Sequence, residues 1–254
     1  MKKILSASTT VLFVFFLVFN TSYAERFYPE IEQVIQHPGT LELIYQGYQH
    51  RDPPLASMKK VKANQKYFYV LPYVVAPSIQ SIFLLEHTII QPGEEVLDIG
   101  SGSGIQAVFA AANAKKVVAT DLSFAAVENT RFNAEGHKVS HIVESRQGDL
   151  FSGIGADEKF DVIIFNIDYP YDEKSQGLWK VHERFFREVD NYLKPGGRIY
   201  YQGGLLINIP RIASMVVNNK LRIMKMDMAA ALNHNREPIV YLIIRDPLLP
   251  NLPK

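Results

Sequence analysis

No cysteine occurs among the 254 residues, which excludes disulfides, thiolate metal sites and a cysteine nucleophile. Excess charge is missing too. With 27 basic residues against 26 acidic ones the chain has no general pull on nucleic acid, and such binding would need a local patch. There is no internal repeat, low-complexity tract or long block of like charge. The longest apolar run, Val11 to Phe19, is too short for a comfortable membrane span. No metal-ligand set is apparent. What remains is a composition and length that suit one α/β domain with a small N-terminal addition.

That domain is organised around Glu94 to Ala112. Val96, Leu97 and Ile99 form the apolar run expected of a strand covered on both faces, and Ile105 to Ala112 is small, apolar and helix-forming. Between them Gly100, Gly102 and Gly104 let the backbone bend sharply and a ligand come close to main-chain N–H groups. Gly102 to Ala107 fits a dinucleotide-binding pattern, but Asp98 opposes a pyrophosphate. A carboxylate there favours a ligand with positive charge and no phosphate, and S-adenosylmethionine, with its ammonium and sulfonium, suits it better. Asp121 ends the next apolar run, Val117 to Thr120, where a carboxylate accepts both hydroxyls of a ribose. Asp121 suits either ligand.

Five segments in order carry a more specific signal: Asp98 to Gly104, Asp121, Gly148 to Phe151, Phe160 to Asn166, and Leu193 to Gly197. Together they resemble the signature segments of class I S-adenosylmethionine-dependent methyltransferases, over roughly Pro77 to Asp246. The resemblance implies a Rossmann-like α/β fold: a seven-stranded sheet, mostly parallel, with helices on both faces and the last two strands forming a hairpin. It implies a cofactor site of Asp98, Gly100, Ser101, Gly102, Gly104, Asp121, Leu122, Asp149, Leu150 and Asn166. Asp98 would position the methionine ammonium, Asp121 the ribose and Asp149 the adenine amino group. The other reading of Asp149 is a residue capping a turn after Gly148.

Asn166-Ile167-Asp168-Tyr169-Pro170 leaves the carboxyl end of the fourth expected strand, Phe160 to Phe165, where ligands of open parallel sheets bind. It resembles the Asn-Pro-Pro-Tyr segment of methyltransferases acting on planar nitrogens, such as glutamine amides and adenine amino groups. Asn166 and Tyr169 match. Ile167 and Asp168 replace the prolines and remove their fixed φ values. Asp168 adds a carboxylate that could accept a proton or orient a cationic substrate, or simply form a turn before Pro170. Asn166, Asp168 and Tyr169 are therefore the candidate catalytic residues. The expected reaction is in-line methyl transfer, nitrogen favoured, to a protein or small-molecule acceptor; nucleic acid is not expected.

Two other functions fit parts of the pattern: an NAD-dependent oxidoreductase using the same turn, and a cofactor-binding protein without turnover. Met1 to Ala24 bears on the second. Lys2 and Lys3, the apolar core Val11 to Phe19 and Ser22-Tyr23-Ala24 read as an export signal, cleaved or kept as an anchor, or as a buried N-terminal helix. Export predicts a periplasmic, secreted or membrane-anchored protein, with membrane contact only through that segment, although S-adenosylmethionine is made in the cytoplasm.

The rest divides into an N-terminal extension, residues 25–76, and the domain, 77–254. In the extension Pro29 to Gln36 shows a short helical pattern, and Leu41 to Tyr48 another. Lys59, Lys60, Lys62 and Lys66 before Tyr67, Phe68 and Tyr69 read as a solvated edge leading into a packed segment, with a nucleic-acid surface as the other reading. Tyr73 to Pro77 and a helix from Ile79 to Ile90 sit where the resemblance to class I methyltransferases implies a lid and the helix preceding the first strand, and substrate contacts are expected there. Met224, Met226 and Met228 alternate with Lys225 and Asp227, predicting a strand with a methionine core face. His87 and His182 are read as packing histidines.

Overall fold

A computed structural model describes residues 31–35, 58–170, 174–229 and 238–247. In chain order its strands are β1 (Ile31–Ile35), β2 (Met58–Ala63), β3 (Lys66–Val70), β4 (Glu95–Ile99), β5 (Lys116–Asp121), β6 (Val143–Gln147), β7 (Phe160–Phe165), β8 (Leu193–Gly203), β9 (Leu221–Met228) and β10 (Ile239–Arg245). The helices are α1 (Ile79–His87), α2 (Ile105–Ala110), α3 (Phe124–Gly136), α4 (Trp179–Glu188) and α5 (Ile209–Asn218).

Seven strands form one sheet in the order β6-β5-β4-β7-β8-β10-β9. β6, β5, β4, β7 and β8 are mutually parallel, and β10 runs antiparallel between β8 and β9. The alternation of side chains explains the two cores. Leu97, Ile99, Ile163, Phe165, Ile199 and Tyr201 face α4 and α5, where Phe185, Phe186, Ile212 and Val216 cover them. Val96, Val117, Val162, Ile164 and Tyr200 face the other way, against Phe83 and Leu84 of α1 and Ala107 and Ala110 of α2. Central strands buried on both faces account for their unbroken apolar runs. Every carboxyl end of β4, β5, β6 and β7 therefore opens on one edge, which gathers the site.

Three expectations change. Ile31–Ile35 is a strand, not a helix, pairing antiparallel with β2; a segment rich in β-branched residues takes the extended form where a strand edge is open to pair with its backbone. The described remainder of the extension is also not helical. β2 and β3 form a hairpin whose turn residues Asn64 and Gln65 both have positive φ (43° and 65°), with Val61, Ala63, Phe68 and Val70 buried. Lys60 and Lys62 face outward beside the Tyr67 ring, and Phe68 packs on Phe109 and His137, as a solvated edge beside a packed segment would. Leu41 to Tyr48 lies outside the described residues.

β9 is a strand, but its methionines are not core: Met224, Met226 and Met228 are 50%, 43% and 47% exposed. β9 is the outermost strand, and only its start is covered, at Leu221 and Ile223. The tight turn expected at Lys194 to Gly197 is instead absorbed into β8 as a bulge. Phe160 pairs with Leu193 and Val162 with Arg198, and Gly196 takes φ +76°.

Candidate cofactor and active site

The glycine turn leaves β4 under close restraint. Gly100 and Ser101 N–H groups both donate to the Thr120 carbonyl, at 2.8 and 3.0 Å, and the Gly104 N–H donates to Ser101 at 2.7 Å. Gly104, at φ +79°, lies so near α3 that a Cβ would sit 2.9 Å from Thr130 Cα. Ser101 is buried, with its Oγ 2.9 Å from Thr130 Oγ1, so toward the cleft it presents only main chain. Gly102 faces open space, its would-be Cβ 3.9 Å from the Val75 carbonyl of the loop preceding α1.

Beneath the turn Asp98 is fully buried, and neither carboxylate oxygen has a hydrogen-bonding partner. Burial pushes its pKa up to about 7; the Ala107 N–H, near the carboxylate but outside hydrogen-bonding geometry, opposes the rise and Asp121 adds to it. Such a carboxylate lacks a cation. Asp121 is half-buried at the end of β5, where Oδ2 accepts the Gly102 N–H at 3.0 Å and Oδ1 the Ser123 N–H at 2.9 Å. Each oxygen keeps a second lone pair for a ribose hydroxyl. Leu122 follows and is 68% exposed at the same edge.

After β6, Asp149 is exposed and paired with Arg184 of α4, while its N–H donates to Ser152 Oγ at 2.7 Å. Leu150 adopts φ +54° with its side chain in the α4–α5 core, so its main chain alone is available to a ligand. The turn is thus held by the Ser152 hydroxyl, and the exposed Asp149 carboxylate pairs with Arg184 and does not cap it.

The segment after β7 lies directly against the glycine turn. A Cβ on Gly100 would fall 2.6 Å from Ile167 Cγ1. Asn166 Nδ2 donates to Ser81 Oγ of α1 at 3.2 Å, which leaves its Oδ1 to accept. Tyr169 is buried, with its hydroxyl 3.5 Å from Gln80 Nε2 and its ring filling the space beside Gly204. The Asp168 side chain is exposed, and its main-chain carbonyl accepts from His182 Nε2 at 2.9 Å.

Several supporting residues were not foreseen. Asn129 and Asn133 stand four apart on the buried side of α3. Asn133 Oδ1 accepts the Tyr69 N–H at 2.9 Å, and its Nδ2 donates to the Tyr69 and Ser103 carbonyls, each at 2.8 Å. Asn129 holds the Leu71 N–H at 2.9 Å and the Tyr69 carbonyl at 2.7 Å. These two amides tie the hairpin to the glycine turn. The signal was a pair of amides at helical spacing within a run otherwise read as helix.

A family model described as methyltransferase small domain matches residues 78–228. The chain belongs to that family. Its relatives include the ribosomal protein L11 methyltransferase of Geobacillus thermodenitrificans, 37% identical over 115 residues, 45% of this chain and 33% of that one. A Methanocaldococcus jannaschii protein carrying the provisional name protein N5-glutamine methyltransferase is 32% identical over 142 residues, 50% of this chain and 70% of the relative. The match to the L11 enzymes spans about a third of their length. Among solved structures, the L11 methylase of Lactobacillus delbrueckii subsp. bulgaricus superposes with a TM-score of 0.51 at 23% identity, covering 66% of this chain and 77% of that one. The M. jannaschii tRNA m1G37 methyltransferase gives 0.55 at 18%, covering 74% and 54%. At such identities these speak for the fold.

Membership of the methyltransferase small-domain family agrees with the class I S-adenosylmethionine-dependent methyltransferase resemblance and favours it over a nicotinamide oxidoreductase. The expected location outside the cytoplasm is corrected by the same relatives: they are named as methyltransferases of ribosomal protein L11 and of protein glutamine, and neither name points to export. Among the described residues no helix is long and apolar enough to cross a membrane. Residues 1–24 lie outside them.

Proposed function

We propose that this methyltransferase modifies a planar nitrogen of a polypeptide, with Asn166 to Tyr169 as the acceptor segment. The observation that carries the reading is the contact of Ile167 with Gly100, which brings the segment against the cofactor turn. In this reading the Asn166 Oδ1 and the Ile167 carbonyl accept the two hydrogens of an amide or amino nitrogen and set its plane. Tyr169 forms the wall beside them. Asp168 takes the proton released after transfer.

The cofactor residues fit a cationic, phosphate-free nucleoside. Asp98 would face the methionine ammonium directly or through water, the turn from Gly100 to Gly104 would lie under the ligand, and Asp121 would hold the ribose. Leu122, Asp149 and the Leu150 main chain would border the adenine. S-adenosylmethionine supplies a methyl on a sulfonium, already a good leaving group, so the chain's work is proximity and alignment. A protein acceptor is favoured by apolar loops flanking this edge, where Val75 and Ile207 are 74% and 83% exposed, and by the relatives' named substrates.

Radiolabelled S-adenosylmethionine incubated with separated ribosomal-protein, soluble-protein and RNA fractions tests this. Label entering protein, abolished by Asn166→Ala with S-adenosylhomocysteine binding retained, supports the proposal. Label confined to RNA, or unaffected by Asn166→Ala, overturns it.

A further inference from the structure

His182 is fully buried on α4 and ringed by Phe165, Trp179 and Tyr201, with centroids 5.3 to 5.7 Å away. Its hydrogen-bonding roles follow from its partners. The Asp168 carbonyl, 2.9 Å from Nε2, can only accept, so Nε2 carries the proton. Nδ1 must then accept, and the Tyr201 hydroxyl, 2.7 Å away, donates to it. Burial supports the neutral ring by driving its pKa down to about 4 and by pushing the Tyr201 phenol well above its usual range. A satisfied polar chain thus runs Tyr201 to His182 to Asp168 through an aromatic core, where any unmatched member would be costly.

The chain ends on the peptide that a proline-containing segment would hold by ring geometry. Ile167 and Asp168 leave φ free there, and three contacts take over the restraint: the His182 bond to Asp168, the Tyr169 ring against Gly204, and Asn208 Nδ2 donating to the Pro170 carbonyl at 3.1 Å. Of these, only the His182 bond grips the peptide between the acceptor carbonyls and the tyrosine.

We infer that His182, oriented by Tyr201, is a positioning residue for methyl transfer: it fixes the Asp168 peptide so that the Asn166 and Ile167 oxygens meet the methyl acceptor in line. The inference rests on the acceptor-segment reading above. It gives a buried packing histidine a role in the reaction, through the main chain and without touching substrate.

The test compares wild type with His182→Phe, His182→Gln and Tyr201→Phe in the full chain. Three quantities are read: amide hydrogen exchange, S-adenosylhomocysteine affinity, and labelled methyl transfer into a ribosomal-protein fraction. His182→Phe keeps the ring and loses both bonds. Exchange should rise at residues 166–169 and not in α2 or α3, and cofactor affinity should stay within twofold. kcat should fall about 10- to 100-fold with KM for the cofactor unmoved, the scale of a small misplacement of reacting groups. His182→Gln, which returns a donor at the reach of Nε2, should recover most of that loss. Should His182→Phe fail to fold, Tyr201→Phe, which removes one oxygen, must still raise exchange in the segment and lower kcat.

Unchanged exchange at 166–169 in the folded variants overturns the inference whatever the acceptor proves to be. So does raised exchange with an unchanged rate, or a loss that His182→Gln fails to recover. If wild type labels no protein, the acceptor proposal fails on its own, while the exchange arm still decides whether His182 holds the segment.

Discussion

Tyr169 occupies the space that a side chain on Gly204 would need: a Cβ there would fall 1.8 Å from Cζ and 2.0 Å from Oη of the ring. Gly204 follows the end of β8, so the last sheet strand before the crossover to α5 shapes the wall of the proposed acceptor pocket. Gly204→Ala should force the tyrosine out of its seat. Methyl transfer should fall by at least tenfold with S-adenosylhomocysteine affinity unchanged, measured by steady-state kinetics and calorimetry side by side.

Gly104 is constrained twice, by φ +79° and by backbone: its missing Cβ would meet Thr130 Cα at 2.9 Å. A left-handed non-glycine residue costs roughly 1–2 kcal/mol and overpacking about 1–3 kcal/mol more. Gly104→Ala should therefore lower unfolding free energy by about 2–5 kcal/mol in urea, and cofactor binding with it. Gly136, whose added Cβ meets nothing within 4 Å, is the control.

The buried Asp98 makes a pH prediction with a definite sign. Its pKa rises from 3.8 to about 7 on folding, so the ligand-free folded state holds a proton that the unfolded chain releases. Relative to Asp98→Asn, the wild type should lose stability as pH climbs from about 4 to 7 and level off above, by about 4 kcal/mol at the outside. Binding a cation there favours the carboxylate. Wild-type affinity for S-adenosylhomocysteine should weaken as pH drops below 7, up to about tenfold per unit, while Asp98→Asn binds weakly with a flatter profile. Melting curves and titration calorimetry from pH 5 to 8 check both.

Asn133 joins the hairpin to the glycine turn through three hydrogen bonds, part-buried ones to Tyr69 N–H and Tyr69 C=O and a buried one to Ser103 C=O. Asn133→Ala leaves the Tyr69 N–H and the Ser103 carbonyl without this partner, while the Tyr69 carbonyl keeps its bond from Asn129, and should cost about 2–4 kcal/mol. Cofactor affinity should fall as well, because Ser103 lies in the turn. A loss of stability with unaltered affinity would show that the hairpin anchor and the cofactor site are independent.

The parts of this fold that announce themselves are those in which one physical requirement dominates. Val96 to Ile99 and Phe160 to Phe165 had to be buried on both faces, and Gly100, Gly102 and Gly104 all take positive φ, so strands and turn were readable from residue type. Elements whose state depends on a neighbour were not. Ile31 to Ile35 becomes a strand because β2 offers an edge, and the methionines of β9 are exposed because, among the described residues, no strand pairs beyond it. At the site the acidic anchors were legible, whereas Leu150 turned inward and Ser101 bonded to Thr130. The amides of α3 show in the sequence only as a pair at helical spacing, and their partners, like the pairing of His182 with Asp168 and Tyr201, depend on contacts between residues separated in the chain, which a single sequence does not reveal.

The most direct measurement is a crystal structure of the protein with S-adenosylhomocysteine. The ribose hydroxyls should lie on the Asp121 carboxylate, the adenine between Leu122 and the Asp149–Leu150 turn, and the amino group toward Asp98, with the sulfur facing Asn166. Ligand bound elsewhere, or a turn closed by Ile167 with the nucleoside unable to enter, would contradict the account.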